Sequence, residues 1–190
     1  QDIVLEIVDL RDSMRILEVT SAPDKMQTWN KRYVPFFRFF SSGVIGIGDP
    51  DSLATAQVFQ QFLQAPIVLN AQHNISRVYT PKLLDHVKSE IHAGFQHFHY
   101  YFPDKALPKV FFYCSGYNTS LMLGDNFVGA SLEKFLGDTA SIYRELGIAP
   151  YFYPQMKPSR IAIELLAAWF QSVCPEPDGN TTLLDRMIWE

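Results

Sequence analysis

The residues from Pro81 to about Phe102 carry the most constraining pattern of the chain. Apolar side chains recur there at spacings of three and four: Leu84, Val87, Ile91, Phe95, Phe98 and Phe102. This periodicity predicts one long amphipathic helix with a single apolar stripe. Thr80 stands immediately before Pro81, and a threonine followed by a proline is typical of a helix N-terminus.

The strand signals follow this helix. Lys109 to Gly116 is rich in β-branched and aromatic residues and predicts a strong strand. Thr119 to Leu123 and Phe127 to Leu132 predict two further strands, joined by the turn-forming sequence Gly124-Asp125-Asn126. Together they predict a β-hairpin added to the first strand. Gly129 inside the hairpin predicts a bulge or the close approach of another backbone.

The N-terminal part is predicted to contain a strand and a broken helix. Asp2 to Leu10 alternates in a way that indicates a short, largely buried strand. Asp24 to Phe40 is helical in pattern, and Pro35 must kink or restart this helix because proline lacks the backbone donor. Its aromatic cluster is expected in the core: Phe36, Phe37, Phe39 and Phe40.

Gly43 to Asp51 contains one glycine pair, Gly46 and Gly48. A phosphate-binding loop needs the full glycine pattern between a strand and a helix, and Asp49 adds negative charge where a phosphate would sit. A tight turn is the preferred interpretation, with Asp49 as the cap and Pro50 at the first position of a helix. That helix is predicted to carry four core residues: Leu53, Phe59, Phe62 and Leu63. A last helix after Pro158 is predicted to bury three more: Ile161, Leu165 and Trp169.

The element order is therefore α+β, and 190 residues suffice for one sizeable domain spanning 1–190. Net charge is -4, and the sequence has no run of lysine or arginine. Nucleic acid and anionic membrane surfaces are therefore not expected as electrostatic partners. No segment reaches the roughly 18 consecutive apolar residues of a membrane span, and Gln1 does not open a signal peptide.

Cysteine and histidine give no sign of a metal site. Cys114 and Cys174 make neither a disulfide framework nor a metal cluster, and whether they pair is left open. Cys114 lies in an apolar run and is expected to be a small buried hydrophobe. Among the histidines of the long helix, His92 and His99 lie two turns apart, about 10 Å along the axis. Ligand pairs such as those of HExxH lie one turn apart, so no metal and no cofactor is predicted.

No catalytic set is complete either. Ser115 lies in CSGY, which lacks the GxSxG elbow, and no histidine motif ties to Ser115 or Cys114. Asp125 and Glu133 bracket the hairpin and could form a carboxylate pair on a concave surface. The preferred interpretation is a turn residue and a strand-edge charge.

Several segments resemble a known family: YYFPD (100–104), LPKVFFYCSGYN (107–118), GDNFVGASLEKFLG (124–137) and LLDRMIWE (183–190). GVIGIGDPD (43–51) fits the same pattern. They resemble the gliding-motility lipoprotein B (GldB) family of Bacteroidetes-type bacteria, from about Ile7 to the last residue. The resemblance implies a periplasm-facing envelope lipoprotein held to the membrane by an N-terminal lipid, and a natural protein that extends beyond both ends of this chain. Its expected partners are other envelope, motility or secretion proteins, with a general envelope role in bacteria that do not glide.

The element order also resembles a zincin-type metallopeptidase scaffold. In such peptidases a last helix carries HExxH, with two zinc ligands and a glutamate base. If Glu190 is placed on that glutamate, Trp189 occupies the first ligand position and cannot bind zinc. This analogy predicts a peptidase-like scaffold without its zinc site. The sequence thus leaves two hypotheses: a non-enzymatic interaction domain, or a hydrolase or peptide-binding protein whose groove is lined by Asp125, Glu133 and Glu190.

Overall fold

The computed structural model describes residues 3–11, 14 and 22–174. The strands in these ranges are β1 (Ile7–Asp9), β2 (Lys109–Tyr113), β3 (Leu121–Gly124) and β4 (Phe127–Ser131). The helices described with them are α1 (Ala22–Arg32), α2 (Val34–Phe39), α3 (Leu53–Gln64), α4 (Pro66–Val78), α5 (Pro81–Tyr101), α6 (Ile142–Glu145) and α7 (Ile161–Val173). A π-helical turn and short 3₁₀ segments lie at Phe40–Val44, Leu132–Lys134, Pro150–Gln155 and Pro158–Arg160.

The strands form one mixed sheet in the order β1-β2-β4-β3. β1, β2 and β4 run parallel, with Ile7 opposite Val110 and Val110 opposite Val128. β3 joins β4 as an antiparallel hairpin, with Met122 opposite Gly129. The predictions of an α+β fold and of a hairpin beside β2 are confirmed. The strand predicted at Asp2 to Leu10 is shorter and only half-buried, because β1 lies at an edge of the sheet.

The two central strands lie in an aromatic core. Val110 to Tyr113 and all of β4 are buried. Phe36 stacks on Phe111 with ring centroids 4.0 Å apart, and it meets Tyr113 edge-on at 5.7 Å. Helix α7 packs against both α5 and the hairpin of β3 and β4.

The broken N-terminal helix is confirmed, with one error in its core residues. Helix α1 ends at Arg32, Tyr33 interrupts the helix, and α2 restarts with Pro35 in its first turn. Phe36, Phe37 and Phe40 are buried, whereas Phe39 is 49% exposed. Helical geometry explains the difference: positions 36, 37 and 40 share one face, and position 39 falls outside it.

The glycine pair forms the predicted turn, with φ values of +65° at Gly46 and +103° at Gly48. The predicted cap is wrong, because α3 begins at Leu53 and not at Pro50. The Asp49 carboxylate accepts the Asp51 amide at 3.0 Å and so closes the turn itself. Leu53 is 76% exposed at the new N-terminus, whereas Phe59 and Leu63 are buried and Phe62 is partly buried against the core.

The long helix and its capping are confirmed. The Thr80 hydroxyl accepts the Leu83 amide at 3.3 Å, and the apolar stripe is buried from Leu84 to Phe98. Phe102 follows the helix end and is 36% exposed. The core face predicted for α7 is confirmed as well, and the Trp169 indole donates to the Ala106 carbonyl at 3.2 Å. In the described part of the chain, no helix combines the length and apolar character needed to cross a membrane.

Gly129 marks a close approach, as predicted. A Cβ at this position would lie 3.0 Å from Tyr113 Cε1 and 3.2 Å from the Phe111 carbonyl oxygen. Central strand β4 therefore passes close against the side chain of Tyr113 and the backbone of Phe111, and a larger residue at 129 would displace one of them.

Candidate functional site

Glu133 is the one charged side chain in the described ranges that is fully buried. It lies in the 3₁₀ segment directly after β4, at the carboxyl end of the parallel strands. Burial of a carboxylate is costly unless hydrogen bonds compensate for the lost water. The groups around Glu133 are therefore the natural place to look for a site.

The loop after β2 supplies the compensation. The amides of Ser115 and Tyr117 donate to Glu133 Oε1 at 2.7 and 3.1 Å, and the Ser115 hydroxyl donates to the same oxygen at 2.9 Å. Gly116 and Tyr117 both have positive φ, at +68° and +69°. The amides of Ser115 and Tyr117, two residues apart, converge on one acceptor, as backbone amides do in an anion-binding turn. Here the anion is the protein's own carboxylate.

A second serine completes the network. Ser131 Oγ lies 2.8 Å from Ser115 Oγ and accepts the Ser115 amide at 3.2 Å. The Thr119 amide donates to Ser115 Oγ at 3.3 Å. A hydroxyl has one proton and two lone pairs. When Ser115 donates its proton to Glu133, its oxygen accepts from Ser131 and Thr119, so the hydroxyl makes all three of these hydrogen bonds within the chain.

The neighbouring acidic groups remain protonated at neutral pH. Burial, and secondarily the charge of Glu133, raises the pKa of Tyr113 well above its usual value. The same two causes raise the pKa of Cys114, so the thiolate that a cysteine nucleophile requires does not form. Among the described residues, neither Glu133 Oε2 nor the Tyr113 hydroxyl has a hydrogen-bond partner.

This network of Ser115, Tyr117, Ser131 and Glu133, called the serine lock below, therefore connects two strands. Glu133 is 0% exposed, so it does not contact solvent or anything dissolved in it. Through Ser115 and Tyr117 it ties the end of β4 to the loop that follows β2. In the described ranges, no group of three or more histidine, cysteine, aspartate or glutamate residues is placed to hold a metal ion.

An open cavity adjoins the start of the edge strand β3, at Ser120 and Leu121. Its volume is about 320 Å³. Apolar side chains line most of it: Leu121, Phe135, Ile148, Phe152 and Met156. Lys134 and Glu164 add charge to the wall, and Glu164 is paired with Arg160 at 3.0 Å. Lys134 follows Glu133 directly, so the same 3₁₀ segment carries the buried lock and one wall of the cavity.

A second, apolar groove of about 470 Å³ lies between α5 and α7. Phe98, Leu166 and Ala167 contribute to it, and Tyr101 and Ile163 on its rim are 71% and 52% exposed.

Comparison with known families decides the classification. A family model described as "Gliding motility protein GldB" matches residues 1–190, the whole chain. The chain belongs to the GldB family. The resemblance seen in the sequence is thereby confirmed, and a gliding-motility lipoprotein family is its setting. None of the curated proteins and none of the solved structures compared with this GldB-family chain matches it significantly.

Two of the three carboxylates suggested by the sequence, Asp125 and Glu133, lie in different surroundings in this GldB-family chain. Asp125 is exposed in the turn that precedes β4, whereas Glu133 is buried beyond the other end of that strand. β4 separates them by roughly 3.3 Å per residue, so the structure does not bring them together. Glu190 lies outside the described residues.

The two cysteines are unpaired, and two histidines of α5 contact different groups. Cys114 is buried, as predicted, Cys174 is half-buried, and both are free thiols. His86 lies 3.6 Å from Glu90 Oε1 on the exposed face of α5. His92 lies 3.4 Å from the carbonyl oxygen of Ile3, so it faces the N-terminal strand segment.

Sequence reasoning missed the serine lock and the cavity beside β3. The lock had a local signal, because Ser131 and Glu133 are polar residues two apart in an otherwise apolar run. Ser115 had no such signal, because only the pairing of β2 with β4 brings it to Glu133. The cavity had none, because its lining comes from four separate segments.

Proposed function

We propose that this chain is the globular part of an envelope-anchored lipoprotein that acts in gliding motility or the associated secretion machinery by binding other proteins. In a homologue from a bacterium that does not glide, the same domain serves a general envelope role. Its attachment to the membrane is through an N-terminal lipid, and it faces the periplasm. Membership of the GldB family supports the setting.

The observation that carries the non-enzymatic part of this proposal is the inward-facing carboxylate. A general base must come within hydrogen-bond reach of the proton it removes. Glu133 Oε1 instead accepts hydrogen bonds from two amides and a hydroxyl of its own chain. Burial raises the pKa of Cys114 beside it, and the Ser115 hydroxyl is engaged in hydrogen bonds within the chain. These groups hold the loop in shape, which favours a binding domain over a catalyst.

A peptidase-like ancestry is a compatible second proposal. A long helix followed by a strand, a hairpin and further helices supports a zincin-like scaffold that has lost its zinc site. The alternative function from this ancestry is a peptide-binding groove or a hydrolase. The cavity beside β3 favours the peptide-binding form, because it is open and apolar and adjoins an edge strand. Zinc content of the purified full-length protein, measured by mass spectrometry, tests the loss of the metal site.

The main proposal is tested by complementation in the bacterium that carries the gene. Strains lacking the gene receive the full-length protein as wild type, Cys114→Ala or Ser115→Ala. We expect both variants to restore gliding or secretion wherever immunoblots show that they accumulate to wild-type level. The opposite result, accumulation without function together with peptide cleavage by the wild-type protein alone, would establish an enzyme and overturn the proposal.

A further inference from the structure

The outer edge of β3 has backbone groups with no partner in the described structure. The Ser131 amide donates to the Ser120 carbonyl at 2.9 Å, which makes these two residues a hydrogen-bonded pair. Such pairs alternate along an antiparallel ladder. The groups of Leu121 and Leu123 therefore point away from β4. The Leu121 carbonyl accepts a hydrogen bond from the Thr119 hydroxyl at 3.0 Å. The amides of Leu121 and Leu123 and the carbonyl of Leu123 therefore remain for an outside partner.

β3 is a short edge strand that α7 contacts, but it carries neither the charge nor the proline that would block strand pairing. Natural edge strands carry charges, prolines or bulges that prevent another strand from pairing with them. β3 has the sequence LMLG, without charge or proline. The opposite edge is different, because Asp9 at the end of β1 pairs with Arg11 at 3.0 Å and Glu6 before β1 pairs with Lys109 at 3.0 Å. One edge of the sheet is therefore charged and the other is left apolar.

The cavity beside β3 provides a place for a side chain of an added strand. Leu121 belongs to the edge and also lines the cavity, so the two features are continuous. Side chains of a strand alternate between faces every 3.2–3.4 Å or so, and every second one would point toward the same face as Leu121. The lining of Phe135, Phe152 and Met156 suits an apolar side chain of leucine or phenylalanine size.

Lys134 gives the cavity a charge preference. Its ammonium contacts the Tyr117 carbonyl at 3.4 Å and, among the described residues, has no carboxylate partner. Burial lowers the pKa of Lys134, although the charge of Glu133 opposes this effect. A carboxylate from a bound peptide would complete the pair, because an opposite charge offsets the cost of burying the ammonium.

We propose that β3 binds an extended acidic and apolar segment of a partner protein as an added strand. Main-chain hydrogen bonds to Leu121 and Leu123 hold the segment, one apolar side chain enters the cavity, and a carboxylate of the segment pairs with Lys134. This inference rests on the proposed binding function and names its site and the chemistry of its partner. Strand addition of this kind obtains affinity from the main chain and specificity from the pockets beside it.

The test uses the full 190-residue chain and fluorescein-labelled heptapeptides of alternating valine and threonine with one leucine and one aspartate. Fluorescence anisotropy measures binding. Leu123→Pro removes an outward amide but no bond to β4, and proline is tolerated at edges of this kind. Leu123→Thr shortens the same side chain but keeps the amide. We expect Leu123→Pro to weaken binding about tenfold or more and Leu123→Thr to have a much smaller effect.

A second variant tests the charge. Lys134→Met should weaken the aspartate peptide about threefold to tenfold and leave the affinity for its asparagine counterpart almost unchanged. Equal affinities of wild type for the aspartate, asparagine and lysine peptides would remove Lys134 from the proposal. Absence of binding to all peptides, or equal binding by Leu123→Pro and wild type, would overturn strand addition at β3.

Two further readouts separate this inference from the proposed function. Sedimentation of the wild type as a dimer that Leu123→Pro converts to a monomer would show that β3 pairs with a second copy, and would overturn the inference. Leu123→Pro in the full-length protein should also fail in the complementation assay. If Leu123→Pro restores function and the wild-type chain binds none of the peptides, the inference fails while the proposed binding role still stands.

Discussion

Two carboxylates flank β4 in the sequence, Asp125 before it and Glu133 after it, and their surroundings in the fold are opposite. Asp125 is exposed in the hairpin turn, where water solvates its charge. Glu133 lies at the other end, buried and held by three hydrogen bonds to Ser115 and Tyr117. We therefore expect that Asp125 can be replaced by another polar residue with little effect, whereas Glu133 is needed for the stability of the fold. Burial and the three hydrogen bonds to Glu133 Oε1 make this difference, because both govern the cost of losing the carboxylate.

Removal of the buried carboxylate should have the largest effect. Glu133→Ala leaves the amides of Ser115 and Tyr117 without an acceptor and opens a cavity, so we expect the free energy of unfolding to fall by about 3–5 kcal/mol. Urea denaturation followed by tryptophan fluorescence measures this loss. Glu133→Gln is the matched control, since its amide oxygen can replace Oε1, and it should cost clearly less. A loss below about 1 kcal/mol for Glu133→Ala would show that the lock is dispensable.

The loop that holds Glu133 should be the next most sensitive position. Gly116→Ala places a methyl group 3.0 Å from Val68 Cγ2 at a φ of +68°. We expect a loss of about 2–4 kcal/mol from strain and crowding together. Gly46→Ala is the control, because Gly46 has a φ of +65° and nothing within 4 Å of its added Cβ. The difference between the two losses in unfolding free energy measures the effect of crowding alone. Equal losses would show that the contact with Val68 does not matter.

High pH should unfold the end of the molecule that contains Glu133. Burial raises the pKa of Tyr117 to about 12; the Asn74 hydrogen bond opposes this shift and the charge of Glu133 adds to it. Because the folded pKa exceeds the unfolded value near 10, stability is complete below about pH 10 and falls as the pH approaches 12. The loss is about 1.4 kcal/mol per pH unit for each such group. Burial also raises the pKa values of Tyr79 and Tyr113, so the losses add.

Denaturation midpoints measured through this range check the direction. In Tyr117→Phe the decline should be less steep, since this variant has one proton fewer to lose. Exposed Tyr151, 74% accessible, provides the control variant Tyr151→Phe, which should follow the wild type. A midpoint that stays constant from pH 10 to 12 would contradict the shift.

Removal of the exposed carboxylate should have the smallest effect. Asp125→Asn keeps a good turn residue at the hairpin and leaves a solvated position solvated. We therefore expect a change within about 0.5 kcal/mol in either direction, by the same urea assay. A loss comparable to that of Glu133→Ala would mean that the two ends of β4 are not different after all.

Elements with a strong local pattern were predictable, and elements defined by their surroundings were not. Helix α5 and the hairpin β3–β4 follow from spacing and turn residues, and both agree with the sequence prediction. Phe39 and Leu53 were predicted in the core but are exposed, because hydrophobicity does not say which face of a short helix meets the core. The Asp49 cap was wrong for a related reason: an aspartate can close a turn or cap a helix with the same carboxylate.

The sequence by itself determined the family, the α+β order and the segments that form the central strands, because these depend on local periodicity and on motifs that stay together along the chain. The tertiary structure alone decided that Glu133 faces inward and that Lys134 faces a cavity. Parallel pairing of β2 with β4 carries Ser115 to Ser131, a contact between residues far apart in sequence. Such contacts set burial and hydrogen bonding. Burial in turn decides whether a carboxylate is solvated by water in a turn, as Asp125 is, or holds two segments of the core together, as Glu133 does.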